Sequence, residues 1–292
     1  MEWLTGPFDV AFVQRALWSG ILVSLICATT GTWVVLRGMT FLGDAMSHGM
    51  LPGVALASLY GGNLLIGAAV SAGVMACGVT ALSRSPRISQ DTGIGLLFVG
   101  MLSLGVIIVS RSQSFAVDLT GFLFGDVLAV REQDLVDLTV ALCVAVLVSV
   151  LGYRSFLALV FDERKAHTLG LRPRLAHAAL LGLVTLAIVT SFHVVGTLLV
   201  FGLLIAPPAA ALPWSRRVPT VMCGAALFGV AATFVGLLLS WHLGTAAGAT
   251  IAAVAVLLFF LSALAAGIRN RPVEDAQPTP AIEERMEDEH SS

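Results

Sequence analysis

Long apolar runs joined by short polar connections fill most of this chain of 292 residues. Runs of about 20 apolar residues are long enough to cross a bilayer as α-helices. They are rich in Leu, Val, Ala and Gly and lack strict alternation, which favours helices over the strands of a membrane barrel. Charged residues make up 12% of the chain, against about 25% in a soluble domain. The sequence therefore predicts an all-α, polytopic integral membrane protein without a nucleic-acid-binding surface.

Nine candidate spans follow from the positions of these runs. They are residues 12–36, 44–59, 63–83, 93–110, 135–151, 176–191, 194–212, 219–240 and 246–267. Several runs are short for an independent crossing, so we expect eight or nine transmembrane helices. The pair 176–191 and 194–212 could instead be one long broken helix. The segment 112–134, which contains Asp118, Gly121, Gly125 and Asp126, is expected to form a short re-entrant or surface helix.

The basic residues are distributed unequally between the two sides that nine spans define. Only Arg15, Arg111 and Arg131 of the 16 Lys and Arg residues fall on one side. The other side holds Arg37, Arg84, Arg87, Arg154, Arg164, Lys165, Arg172, Arg174, Arg216, Arg217, Arg269, Arg271 and Arg285. Basic residues are enriched in cytoplasmic loops, so this second side, with the C-terminus, is predicted to be cytoplasmic.

Two regions differ in composition. Residues 1–268 are expected to form one transmembrane domain, and residues 269–292 a disordered, acidic cytoplasmic tail that is rich in Pro and Glu. The four cysteines, Cys27, Cys77, Cys143 and Cys223, all fall in apolar runs without a Cys-x-x-Cys pattern. We expect them to be free, buried thiols.

Asp44 and His48 form the pair with the clearest chemical meaning. They lie in Leu42-Gly43-Asp44-Ala45-Met46-Ser47-His48, at the start of the second candidate span. An ionised carboxylate at membrane depth costs roughly 2.5–3.5 kcal/mol on insertion scales, so something must offset that cost. The i, i+4 spacing puts both side chains on one helix face. Together they offer an oxygen and a nitrogen, donors that suit a divalent transition metal.

Two other interpretations of this pair remain open from the sequence alone. Asp44 could cap the second span by accepting hydrogen bonds from free N–H groups, while His48 packs against a neighbouring helix. The pair could also serve as a proton relay in a proton-coupled secondary transporter. As metal ligands, two residues fall short of a closed site, so waters or the same pair from a second subunit would have to complete it.

Two further segments are candidates for function. Residues 159–171 form a polar, helix-prone loop on the predicted cytoplasmic side, which fits either a docking element or an ordinary solvated loop. Residues 194–211 contain Gly196 and Gly202, which permit close packing, and Pro207-Pro208, which is predicted to break or kink a helix. This run could be a pore-lining hinge or a kinked packing helix.

Four motifs, in matching order across residues 15–268, resemble a known family. The first is Gly38-Met39 with Gly43-Asp44-Ala45-Met46-Ser47-His48-Gly49-Met50-Leu51-Pro52-Gly53-Val54-Ala55, and the second is Phe161-Asp162 with Ala166 and Leu169-Gly170. The third is Val195-Gly196 with Leu198-Leu199-Val200, Leu203-Leu204-Ile205 and Pro207. The fourth is Ser240 with Gly248-Ala249-Thr250. These motifs resemble those of the permease subunits of ABC-type manganese/zinc/iron uptake systems.

The resemblance implies a type II ABC importer-like permease in a bacterial cell membrane. Two permease subunits, expected to be two copies of this chain, would form a central path. Two cytoplasmic ATPases would drive transport, and an extracellular metal-binding protein would deliver the ion. Asp44 and His48 would be transient ligands for manganese, zinc or iron. The segment that contacts the ATPase would include Phe161, Asp162, Glu163, Ala166, Leu169 and Gly170.

The sequence has no Gly-x-x-x-x-Gly-Lys-[Ser/Thr] motif. That motif forms the phosphate-binding loop of many ATPases. We therefore expect the nucleotide site on a separate chain, and we expect this chain to be a transport subunit rather than an enzyme, with no permanently bound cofactor.

Overall fold

The structure, a computed structural model, describes residues 10–82, 89–110, 125, 129–161 and 173–269. These residues form helices and no strand, which confirms the all-α prediction for the described part of the chain. The helices are α1 (Ala11–Leu36), α2 (Thr40–Gly49), α3 (Leu51–Leu59), α4 (Leu64–Leu82), α5 (Gln90–Ser110), α6 (Glu132–Phe161), α7 (Pro173–Ala211), a short 3-10 helix (Leu212–Trp214), α8 (Val218–Leu243) and α9 (Ala247–Arg269). Seven of these helices are long and apolar enough to cross a membrane.

Helix α7 folds back on itself at Gly196, which has the non-helical dihedral angles φ 78° and ψ 160°. Two contacts with α1 demonstrate the reversal. Arg37 hydrogen-bonds to His177, and Gly31 packs against the backbone of Leu204. In a straight helix, His177 and Leu204 would be about 40 Å apart, whereas Gly31 and Arg37 are separated by only about 9 Å along α1. The two arms of α7, residues 173–195 and 197–211, therefore form a helical hairpin.

This geometry corrects one expectation. Pro207 and Pro208 were predicted to break or kink the helix, yet both lie inside α7 without breaking it, and Gly196 is its only residue with non-helical angles. A positive φ is accessible to glycine without the steric cost that a Cβ imposes. The position of the break is therefore set by Gly196.

The second candidate span is divided into α2 and α3. Met50 joins them with helical dihedral angles, and Pro52 follows at the start of α3, where its missing N–H weakens continuity with α2. Each helix alone is too short to cross a bilayer. Together they cover residues 40–59, which corresponds to about 30 Å of helix.

The bundle has two chemically distinct ends. At one end, which we call the basic end, α1 terminates at Arg37. Pro208 packs close to Gly31 near the same end. Arg269 lies there as well: its guanidinium is 4.4 Å from the ring centre of Trp214, and it donates a hydrogen bond to the Pro213 carbonyl at 3.2 Å.

At the other end, which we call the acidic end, a polar cavity of about 320 Å³ lies between α4, α6 and the turn of α7. Its lining includes Asn63, Arg131, Asp134, Asp137 and His193. His193, three residues before Gly196, thus lines the same cavity as the two carboxylates. The two ends of the bundle thus carry described residues from the two sides that the distribution of basic residues defined.

Some predictions need correction or fall outside the described residues. Cys27 is buried, whereas Cys77, Cys143 and Cys223 are exposed on the bundle surface, so the expectation of four buried thiols was wrong for three; all four are free. Within 112–134, the structure describes only Gly125 and 129–134, and α6 begins at Glu132. The predicted tail lies outside the described residues from 270 onward.

Candidate functional site

Helix α2 carries Asp44 and His48, and a rigid connection from α1 sets its position. The Gly38 amide donates to the Val35 carbonyl, and the Met39 amide donates to the Val34 carbonyl. Gly38 has a φ of 68°. These two hydrogen bonds and the left-handed glycine form a Schellman motif, which satisfies the last carbonyls of α1. Helix α2 therefore starts at a fixed angle immediately after α1 ends.

The Asp44 and His48 side chains face each other, as their spacing predicted. The distance from Asp44 Oδ1 to His48 Nε2 is 3.5 Å, and the side chains are 31% and 28% exposed. Two ligands at about 2.1 Å from one metal ion, at a tetrahedral angle, are about 3.4 Å apart. The ring of Phe98 on α5 meets the His48 imidazole edge-on, with 5.6 Å between ring centres. The pair is thus spaced to share one ion.

The structure contradicts the capping reading of Asp44. Met39 is the N-cap of α2, it makes no side-chain cap hydrogen bond, and no acidic residue lies in the first turn. Asp44 is the fifth residue of the helix, beyond the free N–H groups of the helix start. Its carboxylate points instead toward His48.

The pair opens onto a small cavity of about 50 Å³. Its lining comprises Asp44, Ser47, His48, Thr197, Leu198 and Phe201. Thr197 is the first residue after the Gly196 break, so the reversal of α7 brings the start of its second arm to the pair. Ser47 is buried, and its hydroxyl group donates its proton to the Gly43 carbonyl in a hydrogen bond of 2.9 Å. The lone pairs of the same oxygen point away from that carbonyl.

An apolar groove of about 950 Å³ lies beside this cavity. It runs between α2, the second arm of α7 and α9, and it shares Leu198 and Phe201 with the cavity of the pair. Its other lining residues include Phe41, Val256 and Phe260. The carboxylate–imidazole pair therefore lies at the edge of a wide, nearly nonpolar surface.

Within the described residues, no group of three or more His, Cys, Asp and Glu side chains is placed to hold a metal ion. As metal ligands, Asp44 and His48 would supply two of the four or more donors that a transition metal takes. Such a partial site is suited to passing an ion on, because too tight a site would not release it.

The predicted ATPase-contact residues are described only at their edge. Phe161 is the last residue of α6. Asp162, Glu163, Ala166, Leu169 and Gly170 lie outside the described residues, so their role stays a prediction.

Sequence reasoning missed several residues around the pair. Phe98 and Phe201 belong to other helices, and an apolar residue in an apolar run carries no signal of its own. Arg37 and His177 were also missed as partners: Arg37 Nη1 donates to His177 Nδ1 at 2.6 Å across 140 residues of sequence. Only Thr197 had a local clue, because it follows the glycine that breaks α7.

A bundle of membrane-length helices with a partly exposed carboxylate and imidazole facing a cavity fits a membrane transport protein. The chain matches the ABC 3 transport family over residues 9–266 and belongs to that family. This confirms the resemblance seen in the motifs.

Known relatives in this family carry names for more than one metal. The chain is 38% identical over 267 residues to the manganese transport system membrane protein MntC of Halalkalibacterium halodurans, covering 90% of this chain and 91% of the relative. It is 36% identical over 270 residues to the "Probable iron transport system membrane protein" of Haemophilus influenzae, covering 92% and 99%. In structure it is similar to PsaBC from Streptococcus pneumoniae in complex with Fab, with a TM-score of 0.79, 32% identity and coverage of 89% and 94%.

Proposed function

We propose that this chain is the permease subunit of an ATP-driven importer for divalent transition metal ions, with Asp44 and His48 as transient ligands on the translocation path. The observation that carries the proposal is the 3.5 Å separation of the two side chains, at a small cavity between α2 and the second arm of α7. A negatively charged oxygen and a borderline nitrogen give moderate affinity for Mn²⁺, Zn²⁺ or Fe²⁺.

Two copies of the chain would form the path, because one copy supplies only part of a coordination shell. The apolar groove beside the pair supports this arrangement. A second copy seated there would cover the groove, which shares Leu198 and Phe201 with the site. Each copy would then contribute its own Asp44 and His48.

The chain would span the membrane nine times in a type II arrangement. Seven long helices provide seven crossings. Helices α2 and α3 together add one, and the two arms of α7 count as two crossings instead of one. Nine crossings put the basic end in the cytoplasm and the N-terminus outside.

Energy would come from two cytoplasmic ATPase subunits on separate chains, and an extracellular metal-binding protein would deliver the ion. The contact with the ATPase would be the segment of residues 161–170. Its flanks support this assignment, because α6 ends and α7 begins at the basic end. There the end of α1 contacts both helices, through Trp33 with Ser149 on α6 and through Arg37 with His177 on α7.

Manganese is the ion favoured by the amino-acid sequence around Ser47-His48 and Leu51-Pro52-Gly53. It is also the metal in the name of the Halalkalibacterium relative. Iron is the metal in the name of the Haemophilus relative. The ligand types suit both metals, and zinc as well. Uptake with competing metals would decide the preference.

The first test replaces each ligand in a strain whose growth depends on this transporter. We expect Asp44→Ala and His48→Ala to lower radioactive manganese uptake at least tenfold, with normal amounts of protein in the membrane. Asp137→Asn is the matched control, because Asp137 lines the separate cavity at the acidic end; it should retain uptake. Parental uptake in both ligand variants would rule out the assigned site. Uptake that persists without the ATPase and collapses with an uncoupler would instead support a proton-coupled transporter.

A further inference from the structure

Arg37, at the end of α1, forms a hydrogen bond with His177, near the start of α7. Helix α1 leads to the helix of Asp44 and His48, and α7 follows the proposed ATPase-contact segment in the chain. Arg37 Nη1 lies 2.6 Å from His177 Nδ1. A guanidinium only donates, so Nδ1 must accept and the proton of a neutral imidazole must lie on Nε2. The His177 side chain is buried, with 8% of its surface exposed. A short, charge-assisted bond in such a place fixes the two helix ends against each other.

The second flank of the same segment also contacts the end of α1. Trp33 lies one turn before Arg37, and its Nε1 donates to Ser149 Oγ on α6 at 2.7 Å. Its ring meets Tyr153 and Phe156 of α6 edge-on, with 5.6 Å and 5.4 Å between ring centres. The end of α1 is therefore attached to α6, which leads into residues 162–172, and to α7, which leads out of them.

From Arg37, the connection to the metal pair is short and rigid. Arg37 is the C-cap of α1, and the Schellman motif at Gly38 and Met39 passes directly into α2. A displacement of Arg37 must therefore shift or tilt α2. Because Asp44 and His48 both belong to α2, such a tilt changes how they face the cavity.

We propose that Arg37 and His177 are positioning residues that transmit movement of the ATPase-contact segment to the Asp44–His48 helix. This inference rests on the proposed function, since it requires that the ATPase acts on residues 161–170. Neither residue touches the ion. Their bond makes α2 follow the start of α7, so that ATP-driven movement at the basic end opens the ion site.

The test reconstitutes the complete transporter, with its ATPase and binding protein, in liposomes and measures manganese uptake and ATP hydrolysis in the same vesicles. Arg37→Met removes the donor, and His177→Leu removes the acceptor. We expect both variants to keep ATP hydrolysis and manganese binding within about twofold of the parent. Uptake per ATP hydrolysed should fall at least tenfold.

Rescue and additivity separate a transmitting contact from ordinary packing. His177→Asn keeps an acceptor near the position of Nδ1 and should restore uptake per ATP to within about threefold of the parent. The double variant should lose less than the sum of the two single losses, because both changes remove the Arg37–His177 contact. Ser262→Ala is the control: it removes another bond at the basic end, from Trp214 Nε1 at 2.7 Å, and should keep coupling intact.

Parental uptake per ATP in Arg37→Met and His177→Leu would overturn the inference. So would a parallel loss of ATP hydrolysis, manganese binding and thermal stability that His177→Asn does not rescue, because that pattern describes a structural contact. If Asp44→Ala takes up manganese like the parent, the proposed function itself fails. If Asp44→Ala is inactive while the Arg37 and His177 variants are parental, only the link fails.

Discussion

At the scale of single residues, glycine decides where helices of this bundle meet. A Cβ on Gly31 would overlap the backbone carbonyl of Leu204, on the second arm of α7. Gly53 and Gly67 approach each other in the same way between α3 and α4. Small residues let the backbones of membrane helices come into direct contact. Inside a membrane, van der Waals packing rather than the hydrophobic effect holds such helices together. The contact at Gly31 holds the arm that lines the cavity beside Asp44 and His48.

A substitution at Gly31 should therefore be costly. We expect Gly31→Ala to destabilise the permease by about 1–3 kcal/mol, because a backbone carbonyl cannot move aside as a flexible side chain can. The measurement is the midpoint of thermal unfolding in detergent. Gly73→Ala is the matched control, since a Cβ at Gly73 meets no atom within 4 Å. Equal midpoints for the two variants would mean that the α1–α7 approach is not tight.

At the scale of elements, the sequence predicted most helices and missed the places where tertiary contact decides. The predicted spans for α1, α4, α5, α8 and α9 agree with the structure to within three residues at each end, because polar residues bound each apolar run. The fifth span was predicted to end at 151, yet α6 continues to Phe161. Its extension is stabilised by Tyr153 and Phe156 packing on Trp33, a contact that has no local sequence signal.

The candidate site divides in the same way. The i, i+4 spacing predicted that Asp44 and His48 share a face, since helical periodicity alone sets it. The surrounding walls depend on Phe98 from α5 and Thr197 from α7, whose approach is a property of the whole bundle. The predicted boundary between spans 176–191 and 194–212 fell just before Gly196. Helix-breaking propensity also singled out Pro207-Pro208, but a helix tolerates proline when neighbouring helices support it, and the reversal uses the positive φ of Gly196 instead.

The α7 hairpin gives an element-scale prediction. We expect Gly196→Ala to destabilise the permease by about 1–3 kcal/mol, because a Cβ strains a residue with φ 78° and ψ 160°. Gly125 packs against the Gly196 amide, so little room exists for the backbone to relax. Pro207→Ala should have a smaller effect, because its backbone is already helical. The readout is thermal unfolding, with manganese uptake as a second measure; the reverse ranking would contradict a break set by Gly196.

At the scale of the whole molecule, charge and topology agree. Arg37, Trp214 and Arg269 gather at the basic end, and Asp134 and Asp137 line a cavity at the acidic end. The hairpin in α7 is essential to this arrangement. Without the reversal, residues 212–217 would lie at the end opposite to Arg37, and Arg216 and Arg217 would join the acidic end. The placement of Arg216 and Arg217 at the basic end thus depends on the reversal at Gly196.

The orientation of the chain in the membrane can be tested by adding one cysteine at a time to the native sequence. The four native thiols lie in membrane-length helices or, for Cys27, in the buried core, and maleimide reacts with a thiolate, which an apolar environment suppresses. We therefore expect the parent to stay unlabelled by a membrane-impermeant maleimide in intact cells. Asn63→Cys, at the acidic end, should be labelled from outside. Arg216→Cys should react only after the membrane is permeabilised, because the positive-inside rule predicts that the basic end faces the cytoplasm. The opposite pattern would invert the topology, and labelling of both positions from outside would mean that α7 does not fold back at Gly196.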